Sequence, residues 1–198
     1  MEFNNEYWSK RYEQKNDGWD IGSISTPLQE YIHQLTDKKI SILIPGCGNS
    51  YEAAYLLQNG FNNITLVDIS STLCKIIAHK FAPYIGKGLS IICGNFFELN
   101  GQYDLILEQT FFCALDPRLR KSYADKMQCL LKPSGKLVGV FFDRNFEGGP
   151  PFSGSESEYR QLFQQQFSIS IMQLCYNSIL PRKGSELFVK LKKNDLLV

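Results

Sequence analysis

The 198-residue chain has little of what marks several common classes of protein. It carries two histidines, a formal net charge of only +1 at pH 7, and one dense basic run at Lys190–Lys193. Because nucleic-acid binding depends on neutralising phosphates with a basic face, this composition disfavours a nucleic-acid partner. No apolar stretch reaches membrane-spanning length, and the first six residues, Met-Glu-Phe-Asn-Asn-Glu, do not resemble a targeting signal. We therefore expect no membrane partner.

Cysteine patterns typical of disulfide frameworks and zinc sites are also absent. No Cys-x-x-Cys pair occurs, and several cysteines lie within apolar runs, where a free thiol behaves as a small hydrophobic group. The six are Cys47, Cys74, Cys93, Cys113, Cys129 and Cys175. Free thiols fit a reducing compartment, so the sequence predicts a cytoplasmic protein without a metal site.

What is present begins with residues 40–49, Ile-Ser-Ile-Leu-Ile-Pro-Gly-Cys-Gly-Asn. The short apolar run predicts a strand buried on both faces, the usual state of a parallel sheet. Gly46 and Gly48 allow a sharp turn and a close approach to a ligand, and Ser50 is expected to cap the next helix. A second strand ends on Asp68, which is placed to accept hydrogen bonds from ribose hydroxyls. Together these features predict a nucleoside-binding βαβ unit.

The dinucleotide fingerprint Gly-x-Gly-x-x-Gly requires a third glycine, and this chain has Tyr51 at that position. Because the third glycine permits close helix–strand packing beneath a pyrophosphate, Tyr51 argues against NAD or FAD. The glycine pair alone also fits an ordinary strand-to-helix turn that binds nothing. The rest of the chain has to decide between these interpretations.

Strand and helix patterns alternate along the sequence. After the strand from residue 40, strands are predicted at residues 64–67, 89–93, 103–107, 136–142, 168–176 and 185–191. Capping boxes at 26–29 and 155–158 begin two helices. Two further apolar helix faces are predicted, formed by Leu73, Ile76, Ile77 and Phe81, and by Leu119, Tyr123, Met127, Leu130 and Leu131. The length suits one domain, and the alternation predicts a doubly wound α/β sheet with an antiparallel edge.

Several segments in this order carry a family resemblance. They include Gly18-Trp19-Asp20-Ile21-Gly22, Pro45-Gly46-Cys47-Gly48, Gly94-Asn95-Phe96-Phe97, Gly148-Gly149-Pro150-Pro151 and Pro181-Arg182-Lys183-Gly184. The chain resembles the class I S-adenosylmethionine-dependent methyltransferases, and within them the thiopurine S-methyltransferase superfamily, most of all its halide/thiol methyltransferases. The resemblance implies a seven-stranded Rossmann-like sheet with a C-terminal antiparallel hairpin. It divides the single domain 1–198 into an N-terminal helical lid (1–36) and an α/β core (37–198).

The resemblance also implies a site for S-adenosylmethionine. The residues that it assigns to the cofactor are Trp8, Tyr12, Trp19, Gly46, Gly48, Asp68, Asn95, Phe96 and Gln109. The three N-terminal aromatics correspond to a lid over the sulfonium, which an aromatic ring face attracts; alternatively they pack the first helix onto the sheet. The chain departs from the family at Asn95, where Asp is common, and at Gln109, where Tyr is found.

The shortage of candidate general bases indicates which type of molecule accepts the methyl group. Methyl transfer from a sulfonium is an in-line displacement, which positioning and exclusion of water promote. His33 and His79 fall in no family motif, so the site suits a nucleophile that is already anionic. Thiols as thiolates, thiopurines, thiocyanate and halides qualify as small-molecule substrates. Candidate pocket residues are Phe111, Phe112, Pro150, Pro151 and Arg182, and Arg182 either steers the anion or is a solvated loop charge.

Two alternatives stay open from the sequence. An NAD-dependent oxidoreductase would share the first βαβ unit, although it should have the third glycine. A non-catalytic scaffold that only binds S-adenosylmethionine would explain the departures at Asn95 and Gln109. We expect an enzyme that acts as a monomer.

Overall fold

A computed structural model describes residues 2–194 of the chain. Its centre is a seven-stranded sheet in the order β3-β2-β1-β4-β5-β7-β6. The strands are β1 (Ile42–Pro45), β2 (Ile64–Asp68), β3 (Leu89–Cys93), β4 (Tyr103–Gln109), β5 (Leu131–Phe142), β6 (Phe167–Leu174) and β7 (Glu186–Lys193). The first five run parallel, and β7 is antiparallel to both of its neighbours. The predicted fold with its C-terminal antiparallel hairpin is confirmed.

Helices cover both faces of the sheet. They are α1 (Asn5–Glu13), α2 (Thr26–His33), α3 (Tyr51–Gln58), α4 (Ser71–Lys80), α5 (Arg120–Leu130) and α6 (Glu156–Phe163). Successive side chains of a strand point to opposite faces, so Ile42 and Ile44 pack with α2, α3 and α4, while Leu43 packs with α5 and α6. The sheet is thus buried on both sides, as the uninterrupted apolar run of β1 indicates.

Five local expectations were wrong. Leu119 is 39% exposed and belongs to the 3₁₀ turn before α5, not to the buried face of that helix. Ser50 takes a left-handed conformation (φ +55°), and its hydroxyl donates to the carbonyls of Cys47 and Gly48 instead of capping α3. The residue before α2 is Ser25, one position earlier than the predicted cap. Ile76 is 48% exposed because α4 turns Cys74 inward in its place. Leu131 begins β5 rather than ending α5, since it pairs with Tyr103 across a bulge.

Helix α1 lies against the N-terminus of α4. The hydroxyls of Ser9 and Ser70 hydrogen bond to each other (3.0 Å), and the Asn5 side chain accepts the Ser71 N–H (2.8 Å). Side chains of α1 thereby satisfy backbone donors that the first turn of a helix leaves free. In residues 2–194 no helix combines the length and apolar character needed to cross a membrane. The predicted domain limits, residues 1 and 198, lie outside the described part.

Candidate functional site

A cavity of about 1010 Å³ opens at the carboxyl ends of the central strands. Its walls come from the turn after β1, the ends of β2 and β4, the loop after β5, and the N-terminal segment (residues 2–36). Strands β1 and β4 are neighbours at the place where the strand order reverses, and open α/β sheets bind their ligands there. The fold therefore directs the cavity to the predicted region.

The two glycines of the β1 turn have different surroundings. Both adopt positive φ angles, +55° at Gly46 and +50° at Gly48. A Cβ on Gly46 would lie 2.2 Å from Cδ2 of Phe111, whereas a Cβ on Gly48 would meet only the Tyr12 hydroxyl, at 3.8 Å. Gly46 is therefore required by the ring of Phe111 packed beside it, and Gly48 leaves open space under Tyr12.

Asp68 ends β2 and is 8% exposed. One carboxylate oxygen accepts the Ser70 N–H (2.9 Å), and the other lies 3.5 Å from the Gly48 nitrogen. Burial raises the pKa of the Asp68 carboxyl to about 6. Each oxygen retains a lone pair, so the side chain can accept further hydrogen bonds from a ligand in the cavity.

Three aromatic side chains of the N-terminal segment close one side of the cavity. The ring of Trp19 meets those of Trp8 and Tyr12 edge to face, each at 5.6 Å between centroids. The Arg11 guanidinium lies 4.6 Å from the Trp19 ring centroid. Burial, together with the nearby Asp68 charge, raises the pKa of Tyr12, so its phenol stays neutral. These rings pack against one another and line the cavity at the same time.

The segment that carries Trp19 is fastened at two points. Asp20 accepts hydrogen bonds from the side chains of Asn49 and Tyr51, which belong to the glycine turn and to α3. Arg182 donates to the Trp19 carbonyl (2.7 Å) from the loop before β7. The segment around Trp19 is therefore held by the glycine turn and α3 through Asp20, and by the loop before β7 through Arg182.

Asn95, Phe96 and Gln109 also line the cavity. The Asn95 side chain accepts the Phe97 N–H (3.0 Å), and the Phe96 ring meets that of Phe111 edge to face (5.2 Å). The Oε1 atom of Gln109 is buried and has no hydrogen-bond donor among the described residues. A buried acceptor without a donor is costly, so Gln109 suits a ligand that donates to it.

The residues predicted to contact the methyl acceptor divide into two groups. Phe111, Pro150, Pro151 and Arg182 line the cavity. Phe112 does not, and the expectation that it forms part of the pocket was wrong. It is 1% exposed, stacks on Phe141 at 5.0 Å, and packs against Tyr123 in the core. Adjacent residues at this 3₁₀ turn point in different directions, which the sequence does not reveal.

Arg182 is not a solvated loop charge. Its side chain is 11% exposed, and the Nη1 atom lies 3.3 Å from a carboxylate oxygen of Glu186, which is also buried. The guanidinium further lies over the ring of Phe142, 5.3 Å from the centroid. The charge of Arg182 is therefore balanced by Glu186 at the wall of the cavity.

Comparison with known proteins assigns the chain to a family. The sequence pattern of the family described as thiopurine S-methyltransferase matches residues 3–195, nearly the whole length. The chain belongs to the thiopurine S-methyltransferase family. It is 30% identical to probable thiol methyltransferase 2 of Arabidopsis thaliana over 95% of this chain and 85% of that protein. It is 26% identical to thiopurine S-methyltransferase of Nitrosospira multiformis over 84% of each.

Solved structures share the fold. Burkholderia thailandensis 1,6-didemethyltoxoflavin-N1-methyltransferase, which holds S-adenosylhomocysteine, has a TM-score of 0.76 at 20% identity over 96% of this chain and 87% of that one. Magnesium protoporphyrin IX methyltransferase of Synechocystis, with the same bound product, has a TM-score of 0.72 at 14% identity over 96% and 98%. The predicted family, S-adenosylmethionine as cofactor and methyl transfer as reaction are confirmed. The oxidoreductase and scaffold alternatives are not favoured.

The sequence places Glu108 beside Gln109 at the carboxyl edge of the sheet but assigns no role to this carboxyl, which is buried in this thiopurine S-methyltransferase family member. Glu108, near the end of β4, accepts the N–H groups of Phe111 (2.8 Å) and Phe112 (2.9 Å). Burial raises its pKa to about 7, against those two hydrogen bonds. Glu108 therefore fixes the turn that places Phe111 beside Gly46. Its position directly before Gln109, at the carboxyl edge of the sheet, is a signal that could have identified it.

Proposed function

We propose that the enzyme transfers a methyl group from S-adenosylmethionine to a small anionic acceptor by in-line displacement. The acceptor classes are thiolates, thiopurines, thiocyanate and halides. The observation that carries this proposal is the cavity itself, which is lined both by hydrogen-bond acceptors such as Asp68 and Gln109 and by the aromatic and proline side chains of Phe111, Pro150 and Pro151. Neither histidine lines the cavity, so no imidazole is available to deprotonate an acceptor there.

The residues present fit the cofactor. Asp68 would accept from the ribose hydroxyls, and the orphaned Oε1 of Gln109 would accept from a donor on the cofactor. Gly46 and Gly48 would pass beneath its amino-acid end, and Asn95 and Phe96 would border the adenine. Trp8, Tyr12 and Trp19 would offer ring faces to its cationic sulfonium, which supplies the methyl group.

The acceptor would lie against Phe111, Pro150 and Pro151. This wall would shield the acceptor from water, and a partly dry site favours a reaction in which an anion and a cation neutralise each other. Arg182 would keep Trp19 at the edge of the acceptor site, because its guanidinium donates to both Glu186 and the Trp19 carbonyl. Residues 1–36 would act as a lid over both ligands.

An acceptor panel tests the proposal. We expect methyl transfer to thiophenol, bisulfide, a thiopurine, thiocyanate and iodide, and far slower transfer to aniline and phenol at neutral pH. S-adenosylhomocysteine binding is measured in parallel by calorimetry. Binding without transfer to any of the anions would show a scaffold, whereas faster transfer to the amine would mean a different acceptor class.

We also propose that the enzyme is a monomer in a reducing cytoplasm, with no nucleic-acid or membrane partner. Four of the six cysteines are buried as free thiols, which supports a reducing environment. Light scattering after size exclusion would measure the mass against the 22.7 kDa chain. A mass of twice that value would contradict the monomer.

A further inference from the structure

Four arginines line the cavity, and three of them are already engaged. Arg11 donates from Nε to the Asn16 carbonyl (2.9 Å) and from Nη1 to the Tyr7 hydroxyl (3.1 Å). Arg118 binds Asp116 through two nitrogens, at 2.9 and 2.6 Å. Arg182 is held by Glu186 and the Trp19 carbonyl, as described above.

Arg144 is the fourth, and its surroundings differ. It follows β5 and is exposed, and its guanidinium lies 5.4 Å from the centroid of the Phe146 ring. Within residues 2–194 its side chain has neither a carboxylate at ion-pair distance nor a hydrogen-bond acceptor. The guanidinium fork is therefore free to bind a ligand.

The backbone holds Arg144 in place. Its N–H donates to the Gly154 carbonyl (3.1 Å), and the Gly154 N–H donates back to its carbonyl (3.2 Å). This bridge closes the loop that carries Pro150 and Pro151. The side chain of Arg144 therefore begins at the base of the loop that would contact the methyl acceptor. A charge presented from a fixed backbone loses less entropy when it binds than one on a mobile loop.

The acidic residues of the cavity leave this charge uncompensated. Those lining it are Glu2, Asp20, Glu52, Asp68 and Asp116. Asp20 binds Asn49 and Tyr51, Asp68 binds the glycine turn, and Asp116 binds Arg118. None of the five forms an ion pair with Arg144. Arg144 is thus a cation at the cavity that none of these lining carboxyls neutralises.

We propose that Arg144 determines the preference of the enzyme for anionic acceptors, an inference that rests on the proposed function. Its guanidinium attracts the anion and holds it beside Phe146 and the proline wall. Because the acceptor loses its negative charge during methyl transfer, an interaction with that charge is stronger in the bound complex than in the transition state. Arg144 therefore acts on acceptor binding and on KM, and does not raise kcat.

The test compares Arg144→Gln with the wild type. We expect KM for thiocyanate and thiophenolate to rise by roughly ten- to a hundredfold, the usual effect of losing a hydrogen bond to a charge. The kcat stays unchanged or increases, and KM for S-adenosylmethionine does not move. Arg144→Lys restores most of the acceptor affinity. Arg160→Gln removes an exposed arginine that donates to Glu156 outside the cavity, and it leaves KM unchanged.

Two measurements keep the inference separate from the proposed function. Thiocyanate is titrated into the S-adenosylhomocysteine complex, where no reaction occurs, and Arg144→Gln should weaken this binding by the same factor. Thiocyanate binding that weakens in Arg144→Gln, without methyl transfer by the wild type, would overturn the proposed function and uphold Arg144 as the anion site. Methyl transfer with equal KM values in Arg144→Gln and Arg160→Gln would overturn the inference alone, and so would a fall in kcat at unchanged KM.

Discussion

At the scale of single residues, Gly46 and Gly48 share a backbone conformation but not a reason for being glycine. Alanine at either position adopts a positive φ, which costs roughly 1–2 kcal/mol. Gly46→Ala also places its Cβ against the Phe111 ring, which should add about 1–3 kcal/mol. We expect Gly46→Ala to be the less stable variant in urea unfolding. Equal losses in the two variants would show that Phe111 is not packed against Gly46.

Asp68→Ala tests the ribose assignment. Removal of a charged acceptor should weaken binding of S-adenosylhomocysteine by roughly 1.5–3 kcal/mol in calorimetry. Asp68→Asn keeps an acceptor without the charge and should lose less. If both variants bind as tightly as the wild type, the ribose hydroxyls have another partner.

The raised pKa of Glu108 leads us to expect that the stability of the protein depends on pH. Its pKa is raised by burial from 4.5 to about 7, so the folded protein binds more protons than the unfolded chain between those values. The free energy of unfolding therefore falls as the pH rises through this range and levels off above it. Asp68, raised to about 6, and Glu52, raised to about 7, act in the same direction.

Glu108→Gln isolates the contribution of this carboxyl. The amide oxygen can still accept from Phe111 and Phe112, but the side chain no longer ionises. The loss of stability between pH 4.5 and 7 should be smaller than in the wild type, by on the order of 1–3 kcal/mol. Parallel stability curves for the two proteins would mean that the pKa of the Glu108 carboxyl is the same in the folded protein and in the unfolded chain.

At the scale of elements, the N-terminal segment forms one wall of the cavity and is held there by hydrogen bonds. Asp20→Ala removes the acceptor of Asn49 and Tyr51 and should release residues 14–22 from the glycine turn. We expect faster proteolysis of this segment, protection by S-adenosylhomocysteine, and a raised KM for the cofactor. Asp37→Ala, in the exposed loop before β1, serves as the control. Equal cleavage rates in both variants, with and without ligand, would contradict a ligand-coupled lid.

Element boundaries were predictable where the apolar pattern is local. Strand β3 was predicted at residues 89–93, as observed, and the hairpin of β6 and β7 was predicted within two residues at each end. Positions governed by a distant partner were not predictable. Leu131 becomes a strand residue because Tyr103 pairs with it, and Ser50 is turned by the left-handed backbone that the glycine turn imposes.

The site shows the same division. Asp68 and the glycines follow from the strand–turn–helix pattern, which is a local property. The roles of Asp20 and Glu108 depend on their hydrogen-bond partners, which the sequence pattern does not identify. Asp20 accepts from Tyr51 at the start of α3, and Glu108 accepts from the backbone of Phe111 in the turn after β4. Phe111 and Phe112 are adjacent in sequence, yet only one faces the cavity. Periodicity does not separate neighbours within a 3₁₀ turn.

At the scale of the whole molecule, the chemistry should depend on the ionisation of the acceptor. Neither histidine lines the cavity, and the aromatic wall offers no proton acceptor. At saturating cofactor, the rate for an aryl thiol should therefore rise with pH through the pKa of the free thiol and then level off. Thiols of different pKa should shift the midpoint of the curve accordingly.

Iodide supplies the matched control, because it is ionised at every pH. Its rate at saturating cofactor should be flat over the range in which the thiol rate rises, since only the acceptor of the first reaction titrates. Protonation of Asp68 near pH 6 would alter cofactor affinity and thus KM, which saturation removes from the comparison. A bell-shaped profile for iodide, or one midpoint shared by all thiols, would mean that a group of the enzyme titrates in the rate-determining step. Glu108 would be the first residue to test, because its pKa lies near 7 and its second oxygen has no partner among residues 2–194.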